Sequence, residues 1–309
     1  MVNAVMRSSD FKSSVEPILS TTFDGRMDLR KDEWKAFASS QKAPHERSYF
    51  EEDVLYGFGS APELPDGQPI TYDAGGEMFK KRYDYKVYGL AFAITQVLME
   101  DGEHISIGST YSKYLADALI ETKETNMVNI LNRAFNPAYR GGDSKELVAT
   151  DHPLAVGGTW SNKLATASVL SQTSLEQMLI NIRDAVDYRG KKVHLQAKNL
   201  IIPTSQIMNA EVILNSALKT GSNFNDLNPL KSKGLVPGGA HDISRLTSKD
   251  AWFVTTNAND ERGIKIITRR KVQRGSEGDF ETGNMKYKAT ERYGFGWTDS
   301  HAIYGTPGI

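Results

Sequence analysis

Between residues 59 and 77 the chain reads GSAPELPDGQPITYDAGGE, a stretch dense in proline and glycine and without periodicity. On either side the pattern alternates. Val54, Tyr56 and Phe58 precede it, and Tyr83, Tyr85 and Val87 follow it with Asp84 and Lys86 between them. Period two marks a strand, so two strands flank a segment that cannot itself pair regularly. A structureless connection of this length is uncommon inside a compact domain unless it is functional or held by a partner. The segment therefore predicts a long projecting hairpin, whose second arm of about 11 residues would reach roughly 36 Å.

The remainder is ordinary enough to build a core. The chain has 309 residues, 39% hydrophobic and 24% charged, which excludes a wholly disordered, collagen-like or membrane-spanning class. It contains no cysteine, so disulfides, thiolate metal sites and thiol nucleophiles are absent together. Lys and Arg number 37 against 38 Asp and Glu, a net charge of -1, which is not the field of a protein that grips nucleic acid over a large surface. A weak or local nucleic-acid contact stays open. The start, MVNAVMRSSDFKSSVEPI, has no apolar run of signal-peptide length, and the most hydrophobic stretch, Leu90 to Met99, is half a membrane span. No membrane partner is expected, and the chain should stay where it is synthesised.

Residues 1 to 48 are polar with scattered aromatics; Trp34 and Phe37 suggest at most one short helix in an arm. Tyr111, Leu115, Ala118, Leu119, Val128, Leu131 and Phe135 predict one long amphipathic helix over 109–135, stopped before Pro137. A second helix is expected to open on a capping box from Thr173 to Glu176 and to end at Gly190. The runs KVHLQ and NLIIP read as strands. A third helix is expected from Thr204 or Ser205 to Gly221. Residues 219–242 read as a second long loop, and AWFVTT and GIKIITR as two further buried strands. No internal repeat is visible. The picture is a mixed α/β body with two long excursions and an extended N-terminal arm.

Few residues offer chemistry. The six histidines (His45, His104, His152, His194, His241 and His301) lack metal-ligand spacing, and no cofactor is expected. Asp151, His152 and Ser161 have the residue types of a hydrolytic triad, without a nucleophile elbow. The pairs Gly141-Gly142, Gly157-Gly158 and Gly238-Gly239 fit no nucleotide fingerprint and read as turns. Arg292 to Trp297 reads as a buried aromatic strand. The basic cluster Arg269, Arg270, Lys271 and Arg274 reads either as a solvated loop of mixed sign or as a phosphate contact. The candidate site residues are charges flanking the excursion: Glu51, Glu52 and Asp53 on one arm, Lys80, Lys81 and Arg82 on the other. They would pair across the hairpin or between neighbouring copies.

Three segments, in order, carry a resemblance: His152-Pro-Leu-Ala-Val-Gly-Gly-Thr-Trp-Ser-Asn162; Leu200-Ile-Ile-Pro203 leading into a helix that closes with Glu211 to Ser216; and Met285-Lys-Tyr-Lys-Ala-Thr-Glu-Arg-Tyr-Gly-Phe-Gly-Trp-Thr-Asp299. Together, over roughly residues 45 to 309, they resemble the major capsid (head) proteins of tailed bacteriophages, closest in flavour to the Mu-like major head subunit. That resemblance implies an α+β chain of the Hong Kong 97-type fold. Its parts would be an N-terminal arm (1–45), an extended hairpin loop (46–95), a peripheral domain with a long spine helix (96–165 and 276–309) and an inserted axial α/β domain (166–275). It implies a non-enzymatic structural protein of the virion, assembled in the host cytoplasm into an icosahedral shell around double-stranded DNA. Its partners would be many copies of itself as pentamers and hexamers, a portal, scaffolding or decoration proteins, and packaged DNA touched non-specifically. No charged helical scaffolding segment precedes the arm, which predicts a processed chain or a separate scaffold. Some relatives form isopeptide crosslinks from a loop lysine; Lys80 and Lys81 sit on the hairpin, but no acceptor is placed. An encapsulin-like compartment and an α/β enzyme with a pocket beside residues 219–242 are the alternatives.

Overall fold

The computed structural model describes residues 8–29, 32–44, 46–100, 104–218 and 226–308. The chain divides into two compact units. One comprises Met1–Asp32, Tyr85–Asn126 and Thr268–Gly294; the other comprises Glu33–Asp84, Met127–Ile267 and Phe295–Ile309. In chain order the first elements are helix α1 (Ser8–Leu29), strands β1 (Ser39–Lys42), β2 (Tyr49–Tyr56), β3 (Gly76–Asp84) and β4 (Lys86–Ile94), and helices α2 (Gln96–Glu100) and α3 (His104–Asn132). Next come β5 (His152–Pro153), β6 (Thr159–Trp160), α4 (Gln172–Arg183), β7 (Ala197–Pro203), α5 (Ile207–Asn215), α6 (Pro229–Ser232) and β8 (Ala240–Ile243). The last are β9 (Trp252–Thr256), α7 (Asn259–Arg262), β10 (Ile264–Gly278), β11 (Met285–Trp297) and β12 (Ile303–Thr306).

In the unit that holds α1, β4 and β11 pair antiparallel, from Ile94 opposite Met285 to Lys86 opposite Tyr293, and β10 flanks β11 on its other side. The N-terminal region departs from expectation, since α1 is a helix of 22 residues. Pro17, Gly25 and a majority of polar residues hide it from composition. What folds it is the stripe Leu19, Phe23 and Met27, one residue per turn on one face: Phe23 and Met27 pack with Leu115 and Leu119 of α3, Ala289 and Phe92, and Leu19 is buried beside Gly108 of α3. Each buried side chain of this size contributes roughly 1.5–3 kcal/mol. The Ser112 hydroxyl donates to the Leu19 carbonyl at 2.9 Å, and the Arg26 guanidinium grips Asp117 with two bonds of 2.9 and 3.0 Å. The basic residues Arg269 to Arg274 belong to strand β10, so the loop expected there is absent.

The other unit is built on the sheet order β12-β9-β7-β8. β7 and β8 run parallel, which requires a crossover, and α5 and α6 supply it. Leu200, Ile201 and Ile202 of β7 are all buried because both faces of this sheet are covered. Leu175, Met178 and Ile182 of α4, Ile213 of α5 and Trp252 and Val254 of β9 fill the core.

Several boundaries shift. The long helix ends at Asn132, and turns bridge the gap to Pro137, with Ala134 N–H on the Leu131 carbonyl and Asn136 N–H on the Arg133 carbonyl. The cap of α4 lies two residues before Thr173: Ser171 is the N-cap, and its capping box closes on Ser174 instead of Glu176, because Ser174 Oγ reaches the Ser171 N–H at 2.9 Å. It stops at Arg183, short of Gly190. KVHLQ is not a strand; Lys192 makes an isolated bridge to Val186. A single 3-10 turn, Thr204–Gln206, precedes α5, which ends at Asn215. The expected helix end at Gly221, the first part of the 219–242 loop and His45 lie outside the described residues.

Candidate functional site

β2 and β3 form the hairpin that the alternating flanks predict, in antiparallel register from Tyr49 opposite Asp84 to Tyr56 opposite Gly76, with an irregularity after Val54. Alternation sorts its six charges by face. Glu51, Asp53, Lys80 and Arg82 point to solvent, whereas Glu52 and Lys81, directly opposite one another, turn inward. Outside, Asp53 and Lys80 pair across the hairpin at 3.4 Å, and Lys80 also lies 3.6 Å from Glu77. Asp53 is the main cause that raises the lysine pKa. Arg82 donates to Asp84 at 3.0 Å and covers the Tyr49 ring at 3.9 Å.

Inside, the hairpin is bolted to its own unit. The Glu52 carboxylate meets Lys265 at 2.7 Å and accepts the Thr298 hydroxyl, which in turn accepts from Tyr83 OH. Lys265 is 0% exposed on its side chain and also donates to the Glu261 carbonyl at 3.3 Å. Burial pushes the Tyr83 phenol well above its ordinary range, so it remains a donor. Lys81 lies over the Trp297 ring at 5.1 Å and donates to the Arg140 carbonyl at 3.4 Å; burial lowers its pKa. Phe79 meets Tyr188 edge-on at 5.8 Å. A Cβ on Gly142 would stand 2.5 Å from that phenylalanine ring, so the close approach needs glycine there.

A second fastening sits where pairing stops. Arg189, in the turn ending at Gly190 (φ 81°), donates to the carbonyls of Gly57 at 2.9 Å and Ala74 at 3.2 Å and to Asp73 at 3.0 Å. Asp73 also accepts the Gly59 N–H at 2.6 Å. The Gly59 amide first, and Arg189 second, hold the Asp73 carboxyl below the usual carboxylate range. Beyond this clamp the chain is bare. Phe58 is 62% exposed, Leu64 53%, Ile70 71% and Tyr72 95%. One residue, Arg189, thus separates a held hairpin from an unheld tip.

The residues weighed as a triad are not assembled. His152 is buried, with Nδ1 2.6 Å from Asp143 and Nε2 3.1 Å from the Asn162 side-chain oxygen. Asp151 pairs with Lys145, and Ser161 donates to the Lys163 carbonyl at 3.0 Å. The structure instead shows a structural knot that spacing did not reveal. The Asn162 amide donates to the carbonyls of Leu147, Ser300 and Ile303 at 2.8, 3.1 and 2.9 Å, and its oxygen accepts Ala149 N–H at 2.9 Å. Trp160 is stacked between His152 at 4.8 Å and His301 at 3.7 Å, and His301 is held by Asp299 and the Val186 carbonyl, each at 2.8 Å.

A sequence profile described as phage capsid protein matches residues 80–305. The chain belongs to the phage capsid protein family. Solved structures similar to it include the capsid of the cyanophage P-SCSP1u (TM-score 0.55, 11% identity, 89% of this chain and 88% of that one). The Microbacterium phage Oxtober96 structure is similar at TM-score 0.54, with 9% identity over 88% of this chain and 90% of that one. The capsid of an empty GTA particle is similar at TM-score 0.52, with 13% identity and 90% of each chain covered. No curated protein sequence matches significantly. The mixed helix-and-sheet fold is of the Hong Kong 97 type. The protein is a major capsid protein, a structural component of the virion whose copies build the shell. No helix among the described residues is long and apolar enough to cross a membrane.

Proposed function

We propose that this capsid protein forms the icosahedral head of a tailed bacteriophage in the Mu-like group, as pentamers and hexamers assembled in the host cytoplasm around double-stranded DNA. The observation that carries the reading is the hairpin, fastened by Glu52, Lys265 and Arg189 at its base while Phe58, Leu64, Ile70 and Tyr72 stand in solvent at its tip. Large apolar side chains gathered on a positioned arm mark an interaction surface. In a shell they acquire cover from a neighbouring copy. The remaining parts follow the same plan: residues 1–45 as an arm, 46–95 as the extended loop, 96–165 with 276–309 as the peripheral domain and 166–275 as the axial domain. A portal and scaffolding or decoration proteins complete the assembly. A net charge of -1 limits repulsion between packed copies and leaves packaged DNA without a fixed path, so it should slide.

Glu51, Asp53, Lys80 and Arg82 are the charges on the solvent face that would meet a neighbour, Asp53, Lys80 and Arg82 exchanging their partners within the hairpin for that copy, and Glu52 and Lys81 act from beneath by orienting the hairpin. Exposed pairs contribute about 0–1 kcal/mol each but orient surfaces repeated many times. Negative-stain microscopy of the purified protein should show closed particles of uniform diameter. Lys80→Glu with Arg82→Glu should abolish them while circular dichroism stays native. Dispersed monomers or dimers of the unaltered protein under all assembly conditions would refute the shell.

A further inference from the structure

The Asn162 side chain can sit only one way round, because its NH2 faces the carbonyls of Leu147, Ser300 and Ile303 while its oxygen faces the Ala149 N–H. His152 Nε2, 3.1 Å from that oxygen, therefore has to donate. Its Nδ1 lies 2.6 Å from the Asp143 carboxylate, which is again an acceptor. His301 repeats the arrangement, with Nε2 2.8 Å from the Val186 carbonyl and Nδ1 2.8 Å from Asp299. A neutral imidazole has a single N–H, so each ring would leave one lone pair against a buried acceptor. A second proton on each ring satisfies every contact. Passing the Nδ1 proton across to the carboxylate would leave the count unchanged.

The surroundings agree with two buried cations. Burial pushes the Asp299 carboxyl up, yet the charge and hydrogen bonds of His301, together with the Tyr188 hydroxyl, bring it below the usual carboxylate range. Asp151 is also held low, first by Lys145 and in smaller part by the charge of His152. Both imidazoles stack on Trp160, whose indole N–H has no partner among the described residues, so ring contacts fix it and not a hydrogen bond. This centre adjoins the root of the hairpin. Gly142, next to Asp143, packs against the Phe79 ring. Tyr188 donates to Asp299 at 2.8 Å, meets Phe79 edge-on and immediately precedes the clamping Arg189. We infer that His152 and His301 are kept as imidazolium ions and that their protons hold the hairpin root in place, so that β2 and β3 loosen from their unit as pH rises through the ordinary imidazole range. Above that range the unfolded chain has released both protons and the folded one has not, so each costs about tenfold in the folding equilibrium per pH unit. The other charges nearby are Lys81, which faces Asp143, and Arg262, beside Tyr188. Tyr188 and Tyr304 stay protonated there, because burial pushes both phenols up.

Long-range proton–nitrogen spectra of the full chain labelled with 15N-histidine, in solution or as sedimented particles, test the protons at about pH 8, above the ordinary imidazole range. Two of the six rings should carry N–H at both nitrogens, and His152→Gln and His301→Gln should each remove one of them. Native-state hydrogen exchange then tests the hairpin. Protection of the β3 amides, corrected for the intrinsic rate, should fall about tenfold or more per pH unit above that range while protection in β4 stays constant. His152→Gln combined with His301→Gln should flatten that dependence. Rings with one N–H each in the unaltered chain would overturn the inference, whether or not the double variant folds. A pH dependence that survives in the double variant would overturn it as well and assign the loosening to Lys81. Neither readout requires a particle, so failure of the shell reading leaves both intact.

Discussion

At the scale of single residues, the decisive pair is Glu52 and Lys265, because the lysine is wholly buried and the carboxylate is its counter-charge. Removing one member leaves the other desolvated, which costs about 3–5 kcal/mol. Lys265→Met should therefore lower the urea midpoint of the subunit strongly, and Lys265→Met combined with Glu52→Gln should recover part of the loss. Equal destabilisation by single and double variants would remove the argument. Read from sequence, Glu52 and Lys81 group with the other four charges, and it is the register and burial of the hairpin that turn these two inward. Their partners are not legible in the sequence, because Lys265 lies 213 residues from Glu52 and no local pattern joins them. Asn162 is a similar case: quoted only as the end of a Gly-Gly-Thr-Trp-Ser-Asn run, it becomes the tie among Leu147, Ala149, Ser300 and Ile303.

At the scale of elements, strands with period two and the long helix α3 were readable, whereas the polar helix α1 and the caps were not. Ser171 shows why caps shift. Its hydroxyl accepts the Ser174 N–H at 3.1 Å, and a serine at the third position substitutes for the glutamate that sequence rules favour. Ser171→Ala should cost about 1 kcal/mol, read by chemical denaturation. The loop closure at Gly59 and Asp73 should respond to acid. Asp73 has a folded pKa below its ordinary value, so its contribution is complete above the ordinary carboxylate range and disappears as pH falls through the lowered value. Hydrogen exchange at the Gly59 amide should therefore accelerate in acid beyond the intrinsic rate trend. Asp73→Asn should show the faster exchange at neutral pH and no further change.

At the scale of the whole molecule, the family assignment rests on a match over residues 80–305, while the tip, on which the proposed assembly contact rests, lies before it. Because Gly59 N–H already reaches Asp73 at 2.6 Å, the tip can be excised and its ends rejoined by a two-residue Asn-Gly turn. The shortened subunit should keep its Tm within a few degrees, because the removed side chains were exposed, and should fail to form particles in the microscope. A truncated chain that still closed into shells would show that the tip is dispensable. The grip of Arg189 on Gly57, Asp73 and Ala74 has a geometric corollary. Five-fold and six-fold rings demand different angles between adjacent copies. In the proposed shell, with the root of the hairpin locked, residues 60–72 are the part of it left to take up that difference in curvature by bending, so one polypeptide would suit both kinds of ring.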